Sequence, residues 1–327
     1  MGPGAAVAEV RHAVRTCLSD LAAGELVLAA CSGGADSLAL AAALAFVAPR
    51  AGLRGGGVTV DHGLQEGSAE RAADVAELLG KLGLDPVHSI KVTVGEGAGP
   101  EAAARAARYA ALDRTARAAS AGAVLLGHTL DDQAETVLLG LARGSGARSL
   151  AGMPERRDPY RRPLLGLRRV TAAAACAELG LRPWQDPHNS DVRYARARVR
   201  HQALPALEEA LGPGVAEALA RSARQLRADT DCLDDLAFAE SGQLGDRPAG
   251  IDIERLAALP DAIRTRVLRD AALTAGCPPG ALTAEHVGRI GALVTDWHGQ
   301  RWVDLPGRVR AGRRDGKLWF TSSGPAR

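Results

Sequence analysis

The sequence predicts an α/β protein: a parallel sheet with helices on both faces, then a helical connection and a smaller α+β domain. Three observations predict it. Short apolar strands alternate with longer helical stretches from residue 5 to residue 142, the pattern of strand–helix–strand units built around a parallel sheet. A Gly/Ser turn at residues 32–37 joins the first strand to the helix after it. Beyond Gly152 the alternation stops, and residues 155–201 carry eleven Arg against five acidic residues. A chain of 327 residues is expected to form one large domain plus a smaller one.

In chain order, residues 5–22 read as a helix and Leu26 to Cys31 as a strand. A helix from Ser37 to about Val47, a strand from Gly57 to Asp61 and a helix from Ala69 to Leu82 follow. Pro86 to Val92 is a strand, Gly95 to Pro100 a loop, and Glu101 to Ser120 a helix rich in Ala and Arg, both good helix formers. Ala123 to Gly127 is a strand and Leu130 to Ala142 a helix. Helices run from about Leu204 to Ala239, Ser241 to Gly250 is a linker, and an α+β tail begins at Ile251. The expected domains are a catalytic one over 1–205, a helical linker over 206–240 and a small one over 241–327.

Hydrophobic residues make up 46% of the chain and aromatics 3%, so the core must be built from Ala, Leu and Val. Lys81, Lys91 and Lys317 are the only lysines, and nearly all the positive charge is Arg, the better residue for bidentate phosphate contacts. Codon bias toward Ala, Gly and Arg would give the same composition. A net charge of +2 neither demands nor excludes nucleic acid. The five Cys include no CxxC pair, so neither a zinc site nor a disulfide framework is indicated. A reducing cytoplasm is the expected compartment. The opening residues do not resemble a secretory signal. No apolar stretch approaches the roughly 20 residues of a membrane span, and no membrane partner is expected.

The segment Ser32-Gly33-Gly34-Ala35-Asp36-Ser37 stands where a strand enters a turn and a helix leaves it. Two glycines let backbone N–H groups approach an anion, and the helix N-terminus adds its positive end. Ser32 and Ser37 add hydroxyl donors. Asp36 would repel bare phosphate and makes sense only with Mg²⁺ between them. A Walker A loop needs a Lys that is missing here, and the spacing is wrong for a dinucleotide fingerprint. A nucleophile elbow would make Ser32 a hydrolase nucleophile. It would leave Asp36 and Ser37 without a task, and only a helix precedes the strand. The segment resembles the pyrophosphate-binding loop of the PP-loop ATP pyrophosphatases, which implies a Rossmann-like, adenine nucleotide α hydrolase-like fold and ATP as substrate.

In a parallel sheet, ligands bind beyond the carboxyl ends of the strands, and other polar groups fall there. Val60 and Asp61, in Val58-Thr-Val-Asp-His-Gly-Leu64, can meet adenine through their backbone; a turn cap is the bland alternative. Arg105 and Arg108 share a helix face. His128, Asp132 and Glu135 can line one side of the first turns of a helix, a plausible cation or amine site. Asp131 suits a simple helix N-terminal stabiliser.

Taken together, SGGADS, VDHGL, ARAARY, GHTLDDQAETVLLGLARGSGARSLAGM, RRPLL and WQDPHNSD with YARARVRHQALP resemble the tRNA(Ile)-lysidine synthases across the first ~200 residues. Arg301-Trp-Val-Asp-Leu-Pro-Gly307 resembles the end of that family's C-terminal domain. Many members continue into a further domain, and this chain resembles the shorter form. Ala197 stands where the family usually has Asn. Related tRNA thiolases share the loop but commonly use paired cysteines.

The resemblance implies adenylation of the wobble cytidine of tRNA(Ile) with a CAU anticodon, then attack by L-lysine, in a cytoplasmic ligase using ATP and Mg²⁺. It implies Asp36 as metal contact and, with His128 and Asp132, as catalytic residue. Arg108, Asp132 and Glu135 are expected to hold lysine. The arginine-rich stretch is expected to grip tRNA, with Arg196, Arg198 and Arg200 as contacts and Arg200 reaching into the site. A homodimer is compatible with the sequence.

Overall fold

The computed structural model describes residues 3–63, 67–93, 100–144, 146–186, 191–243 and 250–322. Leu64, residues 95–99 of the expected loop, residues 187–190 of the WQDPHNSD segment and linker residues 244–249 lie outside the described residues. The chain divides into two compact units. One holds Met1–Ser145 with Ser149–Arg224, the other Gly146–Arg148 with Gln225–Arg327.

The first unit runs α1 (Ala5–Cys17), β1 (Leu26–Ala30), α2 (Ala35–Arg50), β2 (Arg54–Asp61), α3 (Ser68–Lys81), β3 (Val87–Lys91), α4 (Pro100–Ala118), β4 (Ala121–Leu126) and α5 (Leu130–Ala142). A short α6 (Ala147–Leu150), whose residues fall in both units, β5 (Arg156–Arg157), β6 (Tyr160–Arg161) and α7 (Arg169–Glu178) follow. Then α8 (Ala195–Arg198), a π-helical turn (Val199–Ala203) and α9 (Leu204–Leu211) lead to α10 (Val215–Gln243), whose residues fall in both units. The strand order is β3-β2-β1-β4-β6-β5. Every pair is parallel except β5 with β6.

Alternation along β1 explains the two helical layers. Val27 and Ala29 join a core with Val10 of α1, Leu40 and Leu44 of α2 and Cys176 of α7. Leu26 and Leu28 point the other way, toward Leu112 and Ala116 of α4. Successive strand residues face opposite sides, so each side needs its own apolar cover.

Two local expectations change. The first helix ends at Cys17, not residue 22, and Asp20 just beyond it pairs with the Arg161 guanidinium and with Arg156. The second strand begins at Arg54 and takes in Gly55, Gly56 and Gly57. A Cβ on Gly56 would lie 2.7 Å from the Pro86 carbonyl and 2.8 Å from Leu28, and one on Gly57 2.8 Å from Leu79. Here glycine in a strand marks close approach rather than a turn.

The arginine-rich stretch is not a uniform outer surface. Arg161 and Arg162 are buried. Arg161 donates to the Cys17 carbonyl at 2.6 Å, and Arg162 to the Pro154 carbonyl at 2.9 Å. These two hold the fold together and are removed from the expected tRNA grip.

The second unit is a small α+β body, but it takes in Gln225 onward, so the division falls inside the helix expected as a linker over 206–240 rather than at 241. It contains β7 (Ile251–Asp252), α11 (Ile253–Ala258), α12 (Asp261–Thr274), α13 (Ala284–Thr295), β8 (Trp302–Leu305), β9 (Val309–Arg314) and β10 (Lys317–Ser322). Its antiparallel sheet has the order β7-β10-β9-β8. Leu256, Leu268, Ile290 and Leu318 form its core. Among the described residues, no helix is long and apolar enough to cross a membrane.

Candidate active site

Helix α2 starts on Gly34, which is extended (φ −71°, ψ 160°) and gives it no side-chain cap. The first N–H groups of the helix are therefore left for an outside acceptor. Ser37 staples the turn. Its hydroxyl accepts from the Ser32 N–H at 3.1 Å and donates to the Gly34 carbonyl at 3.0 Å. Gly33 has φ +85°, a conformation that favours glycine, and its carbonyl accepts from the Trp184 N–H at 2.9 Å. Gly127, just past β4, abuts this turn: a Cβ there would lie 3.0 Å from backbone atoms of Asp36 and Ser37. The parallel sheet thus sets the starts of α2 and α5 side by side.

Thr129 caps α5, with Asp132 closing a capping box. Asp132 Oδ2 accepts from the Thr129 N–H at 2.8 Å and hydroxyl at 3.0 Å. That satisfies helix-end donors and leaves Oδ1 to the Arg169 and Arg200 guanidinium groups. Asp131 acts on another helix: it accepts from the Arg169 N–H at 2.7 Å and pairs with Arg168 at 3.2 Å.

The side chain of Arg169 joins three carboxylates. Nε lies 3.4 Å from Asp36 Oδ2, while Nη2 lies 2.9 Å from Asp132 Oδ1 and 3.2 Å from Glu135 Oε1. Asp36 keeps a raised pKa of about 6, because burial outweighs the pull of the Arg169 guanidinium. Burial also pushes the Asp132 carboxyl up, but Arg169 and the Thr129 N–H hold it below its ordinary value. Glu135 is fully buried.

The run α8–π turn–α9 packs on α5 through Leu204, Val199, Leu130 and Ala134. That packing delivers Arg200 to Glu135 at 2.7 Å and to Asp132 at 3.3 Å. Arg196 lies 3.4 Å from Glu135 and donates to the Thr136 hydroxyl at 2.9 Å. Arg198 is exposed and donates to the Val192 and Arg193 carbonyls, each at 2.8 Å. Ala197 is buried.

Arg108 makes no ion pair with Asp132 or Glu135 among the described residues. Its Nε is buried without a partner, as are Nδ1 of His62 and of His128. Burial lowers the pKa of all three; Arg108 adds to the lowering at both histidines, so both imidazoles are neutral near pH 7. Buried polar atoms left unpaired are uncommon and ask for a partner. Asp61 serves its own turn: its carboxylate accepts from the Gly63 N–H at 2.9 Å and its carbonyl from the Val92 N–H at 2.8 Å. Val60 is half-buried near the end of β2.

A PP-loop domain model matches residues 8–207 of this sequence. A curated tRNA(Ile)-lysidine synthase from Thermobifida fusca is 63% identical, over 97% of this chain and 98% of that protein. The chain belongs to the tRNA(Ile)-lysidine synthase family. Another member, from Streptomyces coelicolor, is 53% identical over 97% of this chain and 99% of its own length. Residues 251–319 match the TilS substrate binding domain. Among solved structures, the U34-tRNA thiolase NcsA from Methanococcus maripaludis, with its [4Fe-4S] cluster, superposes with a TM-score of 0.57. It shares 20% identity over 68% of this chain and 80% of that one, a likeness of fold.

The structure therefore gathers Asp36, Asp132, Glu135, Arg196 and Arg200 in one network. It leaves Arg198 outside that network. Arg169 is the member that sequence reasoning missed. Its faint signal was a pair of arginines, Arg168 and Arg169, at the start of an Ala-rich helix.

Proposed function

We propose that this chain makes lysidine at the wobble cytidine of tRNA(Ile) with a CAU anticodon. ATP adenylates the C2 oxygen and releases pyrophosphate. The ε-amine of L-lysine then attacks C2, loses a proton and expels AMP, forming a carbon–nitrogen bond. The observation that carries this reading is the abutment of a phosphate loop and a buried carboxylate pair, in a chain 63% identical to a curated synthase. The loop N–H groups and the start of α2 hold the phosphates, with Ser32 and Ser37 beside them. Asp132 and Glu135 face the amino groups of lysine. The unpaired guanidinium atom of Arg108 suits the lysine carboxylate or a phosphate, and neutral His128 takes a proton or holds the nucleotide.

Mg²⁺ fits this site through Asp36, whose Oδ1 is a buried acceptor without a partner. Among the described residues no group of three or more His, Cys, Asp or Glu forms a metal cage. One carboxylate plus phosphate oxygens is the usual setting for this ion, and when bound it supplies charge neutralisation for departing pyrophosphate. Pyrophosphate release over many turnovers that requires ATP, lysine and tRNA together tests the whole reading; without lysine, release should stop at one equivalent per tRNA. Release without tRNA would refute it.

Glu135→Gln is expected to raise the lysine KM about tenfold or more while the ATP KM moves less than threefold, since losing one charged partner in a buried site costs on the order of 1.5–3 kcal/mol. The reverse pattern in steady-state kinetics would place Glu135 at the nucleotide.

The small unit and exposed Arg198 are assigned to tRNA, whose anticodon bases are read unstacked. Arg198→Ala should weaken tRNA binding and reduce the log–log salt slope by about 0.7–0.9, one phosphate contact. An unchanged slope in filter binding from low to high salt would remove Arg198 from the interface.

A further inference from the structure

We infer that Arg169 is a latch that occupies the lysine subsite until nucleotide draws it away, so that ATP and lysine bind cooperatively. The inference presupposes the lysine-binding reading of Asp132 and Glu135 given above.

Asp132 has one oxygen engaged in the α5 cap, which leaves Oδ1 as the acceptor for an incoming cation. Arg169 Nη2 already lies 2.9 Å from that oxygen and 3.2 Å from Glu135 Oε1. An ammonium group paired with both carboxylates would have to stand where this nitrogen stands. The side chain of Arg169 is a stand-in for the substrate amine, donated by the protein itself.

The same guanidinium is anchored at the nucleotide end. Its Nε is 3.4 Å from Asp36, inside the phosphate loop. A triphosphate bound to that loop brings several negative charges to the Nε side. Guanidinium forks bind phosphate oxygens bidentately and strongly. A ligand shifts an equilibrium only by its differential affinity for the two states. Triphosphate favours an Arg169 turned toward the loop, and lysine favours an Arg169 absent from the carboxylates. Both ligands therefore select the same rearranged state and must promote each other's binding by the same factor. Arg200 shares both oxygens with Arg169, 2.7 Å from Glu135 Oε1 and 3.3 Å from Asp132 Oδ1, and Arg196 lies 3.4 Å from Glu135 Oε2; with these two in place, the departure of Arg169 frees one donor position without stranding a buried charge.

The test is equilibrium dialysis of radiolabelled L-lysine against the full chain. It is run with and without the Mg²⁺ salt of an ATP analogue whose α–β bridge cannot be cleaved. Lysine should bind the unaltered protein at least tenfold more tightly when the analogue is present. Arg169→Met keeps an unbranched apolar stem but removes the charged head that reaches the carboxylates. It should bind lysine without nucleotide, with the ratio reduced to within about twofold. Arg169→Lys, which keeps a cation, should restore part of the dependence. Equal lysine affinity with and without the analogue in the unaltered protein overturns the latch, and needs no variant to fold. A tenfold dependence that persists in Arg169→Met overturns it as well. Glu135→Gln separates the two levels: lysine affinity unchanged in that variant means the subsite lies elsewhere and the underlying reading fails. Weakened lysine binding in Glu135→Gln, with an unaltered ratio in Arg169→Met, sinks the latch alone.

Discussion

Asp36→Asn is expected to fold normally and to lose pyrophosphate release by about 100-fold or more. The substitution deletes one charge and almost no volume, so packing around the phosphate loop is kept. Its carboxylate has one oxygen toward Arg169 and one buried with no partner. An amide cannot neutralise Arg169 and, being uncharged, is a weaker ligand for a divalent cation beside the phosphates. Removing a single preorganised group that stabilises developing charge costs about 10²–10³ in rate. Initial rates of pyrophosphate release, with a thermal melt as the control for folding, decide the matter. A rate within threefold of the unaltered chain would take Asp36 out of the chemistry.

Gly127→Ala should lower the same rate by about 10- to 100-fold through geometry alone. The added methyl would stand 3.0 Å from the Asp36 carbonyl carbon and from the Ser37 Cα and N. These are backbone atoms, so the loop itself must yield, and misplacing reacting groups by about 1 Å can cost 10²-fold. Gly80 in α3 provides the control, because a Cβ there meets nothing within 4 Å. Gly80→Ala should be active and, as a helix-interior replacement, slightly more stable. Equal rates for Gly127→Ala and Gly80→Ala would mean that the end of β4 does not set the loop.

Local order was readable where the signal was contiguous. The turn from Ser32 to Ser37 sits in six adjacent residues, and α5 begins and ends at the expected Leu130 and Ala142 because apolar period and cap agree there. Arg200 was expected to reach into the site, and it lies on Glu135 and Asp132. Arg169 was not, because its partners lie 133 and 37 residues away in the chain and its neighbours carry no period. Strands β5 and β6 have two residues each, too few to alternate. The start of β2 was placed three residues late, at Gly57 instead of Arg54, because a glycine run has no apolar pattern; only the packing of Leu28, Leu79 and Pro86 shows why glycine stands there. At Asp132, one carboxylate serves both a cap and the site.

The bond from the Arg169 N–H to Asp131 has a kinetic consequence. Adjacent carboxylates on α5 grip the two ends of one residue, Asp131 its main chain and Asp132 its tip. The main chain is also the first turn of α7, a helix packed into the larger core through Ala172, Ala175 and Cys176. Arg169 is therefore a rotor on a fixed hub, free only about its own side-chain bonds. Side-chain rotation is faster than the μs–ms scale of hinge and lid motions. Turnover should then show no dependence on solvent viscosity arising from this step.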